Sequence, residues 1–192
     1  MENFRNTIIL ASASPRRREL LEKAKIPFKT VPSTAEEAAS TDGPPQGLAM
    51  ANALAKAENV AASHPKDLVL GSDTIVVLEN RIYGKPKDAA DARRMLGELE
   101  GKTHSVFTAV ALVLKDAGIA DVSCDESRVT FKSMDGAAID AYLSRVHVLD
   151  KAGAYAAQEA GELIIEKIDG AFDNVMGLPV ALLKKRLDTI FG

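Results

Sequence analysis

Short apolar runs rich in β-branched residues alternate along the chain with longer segments in which apolar residues recur about every 3.6 positions. The short runs are typical of buried strands and predict them over residues 7–11, 28–31, 68–70, 75–78, 104–115, 120–131 and 163–167. The periodic segments predict helices over residues 17–25, 48–63, 89–100, 137–144 and 178–187. Strands that alternate with helices favour an α/β protein, and the hairpin-like stretch 107–131 predicts a mixed sheet.

The segment from Ser12 to Arg18 follows the first predicted strand and leads into the first predicted helix. Its small residues leave backbone N–H groups open at a helix start, and Arg16 and Arg17 add positive charge, so the segment suits an anion. It is neither a P-loop nor a dinucleotide-binding loop, because the chain contains no G-x-x-x-x-G-K-[ST] and no G-x-G-x-x-G. The alternative is a capped helix whose arginines are solvated.

Several charged residues are candidates for chemistry, but each is a weak signal by itself. Asp73 lies in a polar segment between two apolar runs, where a buried carboxylate needs a metal ion or a cation. A strand-end turn or cap is an equally open reading of Asp73. Glu37 lies in an acidic loop, Lys56 on an Ala-rich helix and Lys85 in a short loop, and all three could simply be solvated.

The segment Lys151–Gln158 is lined by Gly and Ala and carries one amide, Gln158, and one aromatic ring, Tyr155. An amide and a ring could recognise the edge and the face of a nucleobase. A loop packed beneath the sheet is the alternative.

Charge and cysteine content limit the partners and the compartment. The chain has 24 Lys and Arg against 27 Asp and Glu, a net charge of −3, which argues against a nucleic-acid partner. The single Cys124 predicts no intramolecular disulfide and a reducing compartment. Met1–Arg5 is polar and the apolar run after it is short, so we expect no signal peptide. No apolar stretch approaches the ~20 residues of a membrane span, and we expect a cytoplasmic protein without a membrane partner.

Eight motifs occur in a fixed order along nearly the whole chain. They are L-A-S-x-S-P-R-R-x-E-L-L (10–21), E-E (36–37), L-A-K-A (54–57), G-x-D-T (71–74), G-K-P (84–86), G-x-x-H-x-V-x-T (101–108), K-A-G-A-Y-x-x-Q (151–158) and G-L-P (177–179). In this order they resemble the Maf family of nucleoside triphosphate pyrophosphatases.

The resemblance implies an α/β fold of two lobes around an elongated mixed β-sheet with a central cleft, similar to inosine triphosphate pyrophosphatases. Residues 1–192 would form one such domain. The implied enzyme is a hydrolase of acid anhydrides that converts a nucleoside triphosphate to the monophosphate and pyrophosphate with Mg²⁺ or Mn²⁺. A homodimer is expected at the level of the family.

The resemblance also implies roles for individual residues. Asp73 matches the catalytic acid/base aspartate of the family, and Glu37 matches the glutamate that joins it near the metal. The positions that line the phosphates are matched by Ser12, Arg16, Arg17, Lys56 and Lys85.

Three residues carry the expected base preference. Arg16, Thr74 and Gln158 match the subgroup that resembles dTTP/UTP pyrophosphatases, so dTTP, UTP and modified pyrimidine triphosphates are the expected substrates. The chain departs from the common pattern at Ser72, Glu100 and Glu159, where Ala, Ser and Gly are usual. Glu159 adds a charge beside Gln158, and this change bears on the base preference.

Three alternative functions follow from the same residues. The first is a pyrophosphatase for 7-methyl-GTP or another nucleoside triphosphate. The second is a nucleotidyltransferase, whose product would depend on an acceptor. The third is a non-catalytic nucleotide-binding regulator of cell division.

Overall fold

The computed structural model describes residues 7–192, so the expectation for Met1–Arg5 concerns residues outside that range. The described chain folds into two compact units. The first contains the residues up to Asp73 together with Thr108–Asp125 and Gly177–Gly192. The second contains Thr74–Phe107 and Glu126–Met176. None of the described helices is long and apolar enough to cross a membrane.

The described residues form a mixed sheet of seven strands. These are β1 (Ile8–Leu10), β2 (Phe28–Thr30), β3 (Val69–Leu78), β4 (Arg81–Tyr83), β5 (Thr103–Leu114), β6 (Ile119–Phe131) and β7 (Ile165–Asp169). The order is β2-β1-β3-β5-β6-β7, with β4 paired to β3. Strand β1 is parallel to β2 and β3, whereas β4 and β7 are antiparallel to β3 and β6. The predicted mixed α/β class is therefore confirmed.

Six α-helices accompany these strands in residues 7–192. They are α1 (Pro15–Lys23), α2 (Pro45–Ala61), α3 (Ala89–Leu99), α4 (Gly136–Leu143), α5 (Phe172–Met176) and α6 (Val180–Phe191). All five predicted helices are present, with ends shifted by a few residues. Helix α3 begins behind the Asp88 carboxylate, which accepts a hydrogen bond from the backbone N–H of Asp91 at 2.8 Å. Helix α5 was not predicted, because five residues are too few to show a helical period.

Two sequence-based boundaries were wrong for local physical reasons. The polar segment around Asp73 is not a turn, because β3 runs without interruption from Val69 to Leu78. The last predicted strand begins later, at Ile165, because Gly161–Leu163 closes a 3₁₀ turn.

The first unit packs α2 unusually close to β3 at Gly71. A Cβ atom on Gly71 would overlap the carbonyl oxygen of Ala53 and stand 2.9 Å from the backbone nitrogen of Ala57. Only glycine fits at this contact, and the helix face that meets it consists of small residues. The close approach brings polar side chains of α2 within direct reach of Asp73, two residues further along the strand.

The second unit has its own apolar core, in which His104 is buried. The ring is 2% exposed, and its centroid lies 4.8 Å from that of Phe131 and 5.5 Å from that of Tyr155. Its Nε2 atom is hydrogen-bonded to the Tyr155 hydroxyl at 2.9 Å. The Nδ1 atom has no partner among residues 7–192, so a second ring proton would have no acceptor. Burial lowers the pKa of His104 to about 4.

His104 should make the free energy of unfolding depend on pH. Its pKa is about 4 when folded and about 6.5 when unfolded, so the unfolded chain binds the extra proton between these values. The contribution is complete above pH 6.5 and is lost as the pH falls toward 4. Between pH 7 and pH 5 the wild type should lose about 2 kcal/mol more than His104→Gln.

Urea denaturation of both proteins at the two pH values measures this difference. An NMR titration of the His104 ring in the wild type is an independent check. Equal losses in the two proteins, or a ring pKa near 6.5, would contradict the assignment.

Candidate active site

Ser12 and Arg17 fix the loop between β1 and α1. The Ser12 hydroxyl accepts hydrogen bonds from the backbone N–H of Ser14 at 3.2 Å and from the Arg17 guanidinium at 3.1 Å. The Arg17 Nε donates to the carbonyl of Gly177 at 2.9 Å. Burial lowers the pKa of Arg17, and the negative charge of Asp73 opposes that shift. Because the ordinary pKa of arginine is far above neutral pH, the side chain stays charged despite this shift. Arg17 is therefore a cation with a fixed position.

The alternative of a capped helix with solvated arginines fails in part. Ser14 occupies the N-cap position of α1, but its side chain makes no capping hydrogen bond. Arg17 is half-buried and bonded on two sides. Arg16 lies close enough for its charge to lower the pKa of Arg17.

Lys56 joins the two predicted carboxylates. Its ammonium lies 2.6 Å from Oδ1 of Asp73 and 2.8 Å from Oε1 of Glu37. The side chains of Lys56 and Asp73 are 11% and 10% exposed, whereas that of Glu37 is 44% exposed. The buried charge of Asp73 therefore has the cation that the sequence analysis required for it.

Sequence reasoning missed Asn52, which also contacts Asp73. The Asn52 Nδ2 atom lies 3.4 Å from Oδ2 of Asp73, and the residue is 5% exposed. Asn52 precedes Lys56 by four positions and so shares its helix face. A polar side chain on an otherwise small and apolar face was the signal that could have identified it.

The structure brings together one part of the predicted site and leaves another part in the second unit. The first unit holds Ser12, Arg16, Arg17, Glu37, Lys56 and Asp73. The second unit holds Thr74, Lys85 and Gln158.

In the second unit, Gly153 links the segments that carry Lys85 and Gln158. Its backbone N–H donates to the carbonyl of Gly84 at 3.1 Å. Its φ is +69°, and a Cβ atom there would stand 3.0 Å from Cγ2 of Val76. The loop after β4, the segment 150–161 and strand β3 thus meet at one glycine. Thr74 lies two residues before this contact on β3.

Gln158 is oriented by its neighbour Glu159. The Nε2 atom of Gln158 donates to Oε1 of Glu159 at 3.2 Å. A carboxylate can only accept, so the NH₂ group of Gln158 faces Glu159 and its carbonyl oxygen faces elsewhere. Oε1 of Glu159 lies 3.7 Å from the ammonium of Lys151, which is almost fully buried. Glu159 thus lies between a buried ammonium on one side and the amide of Gln158 on the other.

The protein supplies part of the coordination shell of a divalent metal ion, and waters or phosphate oxygens would supply the rest. No group of three or more His, Cys, Asp or Glu among residues 7–192 is arranged to hold a metal ion. Asp73 and Glu37 supply two hard carboxylate oxygens on the same ammonium. Mg²⁺ is typically bound by one or two carboxylates, with waters and phosphate oxygens completing its shell. The pair fits such an ion.

Comparison with known proteins places the chain in a family. The family model described as Maf-like protein matches residues 7–190, and the chain belongs to that family.

Three curated relatives illustrate the similarity. A dTTP/UTP pyrophosphatase of Gloeobacter violaceus is 48% identical over 92% of each chain. The dTTP/UTP pyrophosphatase of Bacillus cytotoxicus is 46% identical over 93% of each chain. That of Akkermansia muciniphila is 48% identical over 94% of this chain and 95% of its own. A protein of solved structure from Vibrio cholerae overlaps 82% of this chain and 70% of its own at 15% identity, with a TM-score of 0.31. That overlap is too loose to bear on the fold.

Removing the ammonium of Lys56 should destabilise the first unit through the charge it leaves behind. Lys56→Met strands the carboxylate of Asp73 in a nearly buried position, and we expect a loss of about 3 kcal/mol in the free energy of unfolding. The double variant Lys56→Met/Asp73→Asn should recover about half of that loss, because no buried charge remains.

Urea denaturation of the two single variants and the double variant measures the coupling. Lys23→Met is the matched control, since Lys23 pairs with Glu19 on an exposed helix face and should lose less than about 0.5 kcal/mol. Additive losses of Lys56→Met and Asp73→Asn would contradict the pairing.

Proposed function

We propose that this protein is a nucleoside triphosphate pyrophosphatase that hydrolyses dTTP and UTP to the monophosphate and pyrophosphate. The observation that carries the proposal is the nearly buried Asp73 carboxylate on Lys56, in the same unit as the fixed Arg17 cation. A carboxylate and fixed cations are the groups that the hydrolysis of a phosphate anhydride requires. The relatives named dTTP/UTP pyrophosphatase, 43–48% identical, support the substrates.

In the proposed reaction, Asp73 orients a water molecule and accepts its proton as the water oxygen attacks the α-phosphorus. The bond between the α-phosphorus and the bridging oxygen breaks, and pyrophosphate leaves with the electron pair. Arg16, Arg17, Lys56 and Lys85 offset the charge of the phosphates. Oδ1 of Asp73 contacts the ammonium of Lys56 and Oδ2 contacts the amide of Asn52, and each oxygen has a further lone pair with which it can accept the proton. No covalent intermediate forms.

Asp73 and Glu37 would hold Mg²⁺ or Mn²⁺ in this reaction. Such an ion, when bound, neutralises the triphosphate and polarises its oxygens. Lys56 contacts both carboxylates, and its ammonium keeps them from repelling each other before the nucleotide binds.

Base recognition is assigned to Gln158, with Thr74 and Arg16 as further specificity residues. Because Glu159 holds the NH₂ group of Gln158, the amide oxygen is left to accept a hydrogen bond. Uracil and thymine offer the N3–H group as a donor, whereas N3 of cytosine carries a lone pair. A 5-substituent does not alter this edge, so 5-modified uridine triphosphates are also expected substrates.

We infer a cytoplasmic enzyme and a homodimer that binds a small nucleotide rather than a nucleic acid. The net charge of −3 supports the last point, since a nucleic acid would be repelled.

Asp73→Asn should abolish most of the activity without unfolding the protein. The amide keeps the shape of the carboxylate but cannot accept the proton, and kcat should fall about 10³-fold. The assay follows pyrophosphate and orthophosphate from dTTP, UTP, CTP, GTP and 7-methyl-GTP with Mg²⁺ or Mn²⁺. Asp188→Asn, on the exposed surface of α6, is the control and should retain full activity.

Pyrophosphate from dTTP and UTP alone would support both reaction and substrates. Activity confined to 7-methyl-GTP or CTP would overturn the base assignment, and product that needs an acceptor would indicate a nucleotidyltransferase. If the folded wild type binds nucleotide but releases no pyrophosphate, the protein is a nucleotide-binding protein without this activity.

Gln158→Leu should reduce the preference for UTP over CTP, measured as the ratio of kcat/KM values, by about 10-fold. Glu159→Ala should reduce this ratio about threefold, because the amide group of Gln158 can then rotate and present its NH₂ group to the base. Glu162→Ala, an exposed change in the neighbouring turn, is the control and should leave the ratio unchanged. An unchanged ratio in Gln158→Leu would defeat the assignment.

A further inference from the structure

Helix α2 carries three polar side chains on one face, and all three contact the same segment. Asn52, Lys56 and Asn59 are spaced by four and three residues, which places them along one side of the helix. We call them the α2 polar stripe. The segment 33–38 that they contact contains no helix or strand and includes Glu37.

Asn59 holds the beginning of this segment. Its Oδ1 atom accepts hydrogen bonds from the Ser33 hydroxyl and from the backbone N–H of Thr34, both at 3.0 Å. The Ser33 hydroxyl accepts in turn from the backbone N–H of Ala35 at 3.1 Å. The two bonds to Asn59 are exposed, and none of the three involves Asp73.

Asn52 holds the end of the segment, and its contacts are of a different kind. Its Oδ1 accepts from the backbone N–H of Ala38 at 2.8 Å, and its Nδ2 donates to the carbonyl of the same residue at 3.1 Å. The second hydrogen on Nδ2 is donated to Asp73, whose Oδ2 lies 3.4 Å from the Nδ2 atom. One buried amide therefore contacts the residue after Glu37 and the carboxylate of Asp73 together.

We propose that Asn52 is a positioning residue that sets the spacing between the carboxylates of Glu37 and Asp73 for a divalent cation. This inference rests on the proposed function, in which those two carboxylates hold the ion. Glu37 is 44% exposed, and a half-exposed ion pair with Lys56 fixes it only weakly. The two hydrogen bonds from a buried side chain to Ala38 hold the backbone beside it more firmly.

The chemistry of an amide is required for this task. Leucine has a similar size but bonds neither to Ala38 nor to Asp73. Aspartate could accept from Ala38 but could not donate to a second carboxylate. Only a side chain with one acceptor and two donors makes all three contacts.

The test compares Asn52→Leu with Asn59→Ala, which removes the other anchor of segment 33–38 and leaves Asp73 untouched. Hydrogen exchange of the Ala38 amide, measured by NMR without metal, reports the contact itself. Binding of Mn²⁺ to the nucleotide-free protein, measured by electron paramagnetic resonance, reports the spacing of the carboxylates. The Mg²⁺ dependence of UTP hydrolysis is the third measurement.

Asn52→Leu should speed exchange of the Ala38 amide at least about 10-fold and raise the Kd for Mn²⁺ about 10-fold, as changes beside metal ligands do. The Mg²⁺ concentration for half-maximal rate should rise by a similar factor, with kcat nearly restored at saturating Mg²⁺. Asn59→Ala should change the Kd for Mn²⁺ less than about twofold. Asn52→Ser, which replaces the amide by a single hydroxyl and fills less space, is used if Asn52→Leu does not fold.

An unchanged Kd for Mn²⁺ in the folded Asn52 variant would overturn the proposal, as would equal weakening in the Asn52 and Asn59 variants or unaltered exchange at Ala38. These outcomes are separate from failure of the proposed function. That failure is a wild type that makes no pyrophosphate, and the exchange and Mn²⁺ measurements do not depend on turnover.

Discussion

The ion pair between Lys56 and Asp73 is the interaction on which the rest of the first unit depends. A carboxylate with 10% of its side chain exposed is costly to bury unless a cation meets it. Lys56 can meet it only because α2 and β3 touch at Gly71. The same helix face then carries Asn52, which adds a hydrogen-bond donor to the other carboxylate oxygen. One contact between a helix and a strand therefore both packs the two elements together and brings the buried carboxylate to its cation.

Sequence reasoning identified the acidic half of this arrangement more easily than the basic half. Asp73 stood out because a charge between two apolar runs needs a partner. Lys56 did not, because a lysine on an Ala-rich helix is ordinary and its partner lies 17 residues away on a strand. The helices were largely predictable from apolar periodicity, and strands such as β1 and β3 from continuous apolar runs, since these strands are buried almost throughout. Contacts between elements were not, because periodicity describes one element at a time.

Some features had no periodic signal. Helix α5 is five residues long, and the shift of β7 to Ile165 follows from a 3₁₀ turn. The sequence marked Glu159 as a charge beside Gln158, but the direction of the Gln158 amide depends on the bond between them and on Lys151. Asn52 was missed because its place on a small, apolar helix face indicates burial but does not show which groups of other elements it meets. The roles that the family resemblance implies for the site residues, including Lys85 and Thr74, stay predictions.

The backbone contact at Gly71 has a consequence for anyone who would redesign this protein. In most helix–strand packings the spacing is set by side-chain volume and can be adjusted by exchanging one apolar residue for another. Here it is set by main-chain atoms, so no choice of side chain can bring α2 closer or make the gap smaller. Helix α2 and strand β3 therefore form one rigid packing unit, and a design that grafts this site into another scaffold would have to include both elements and Gly71.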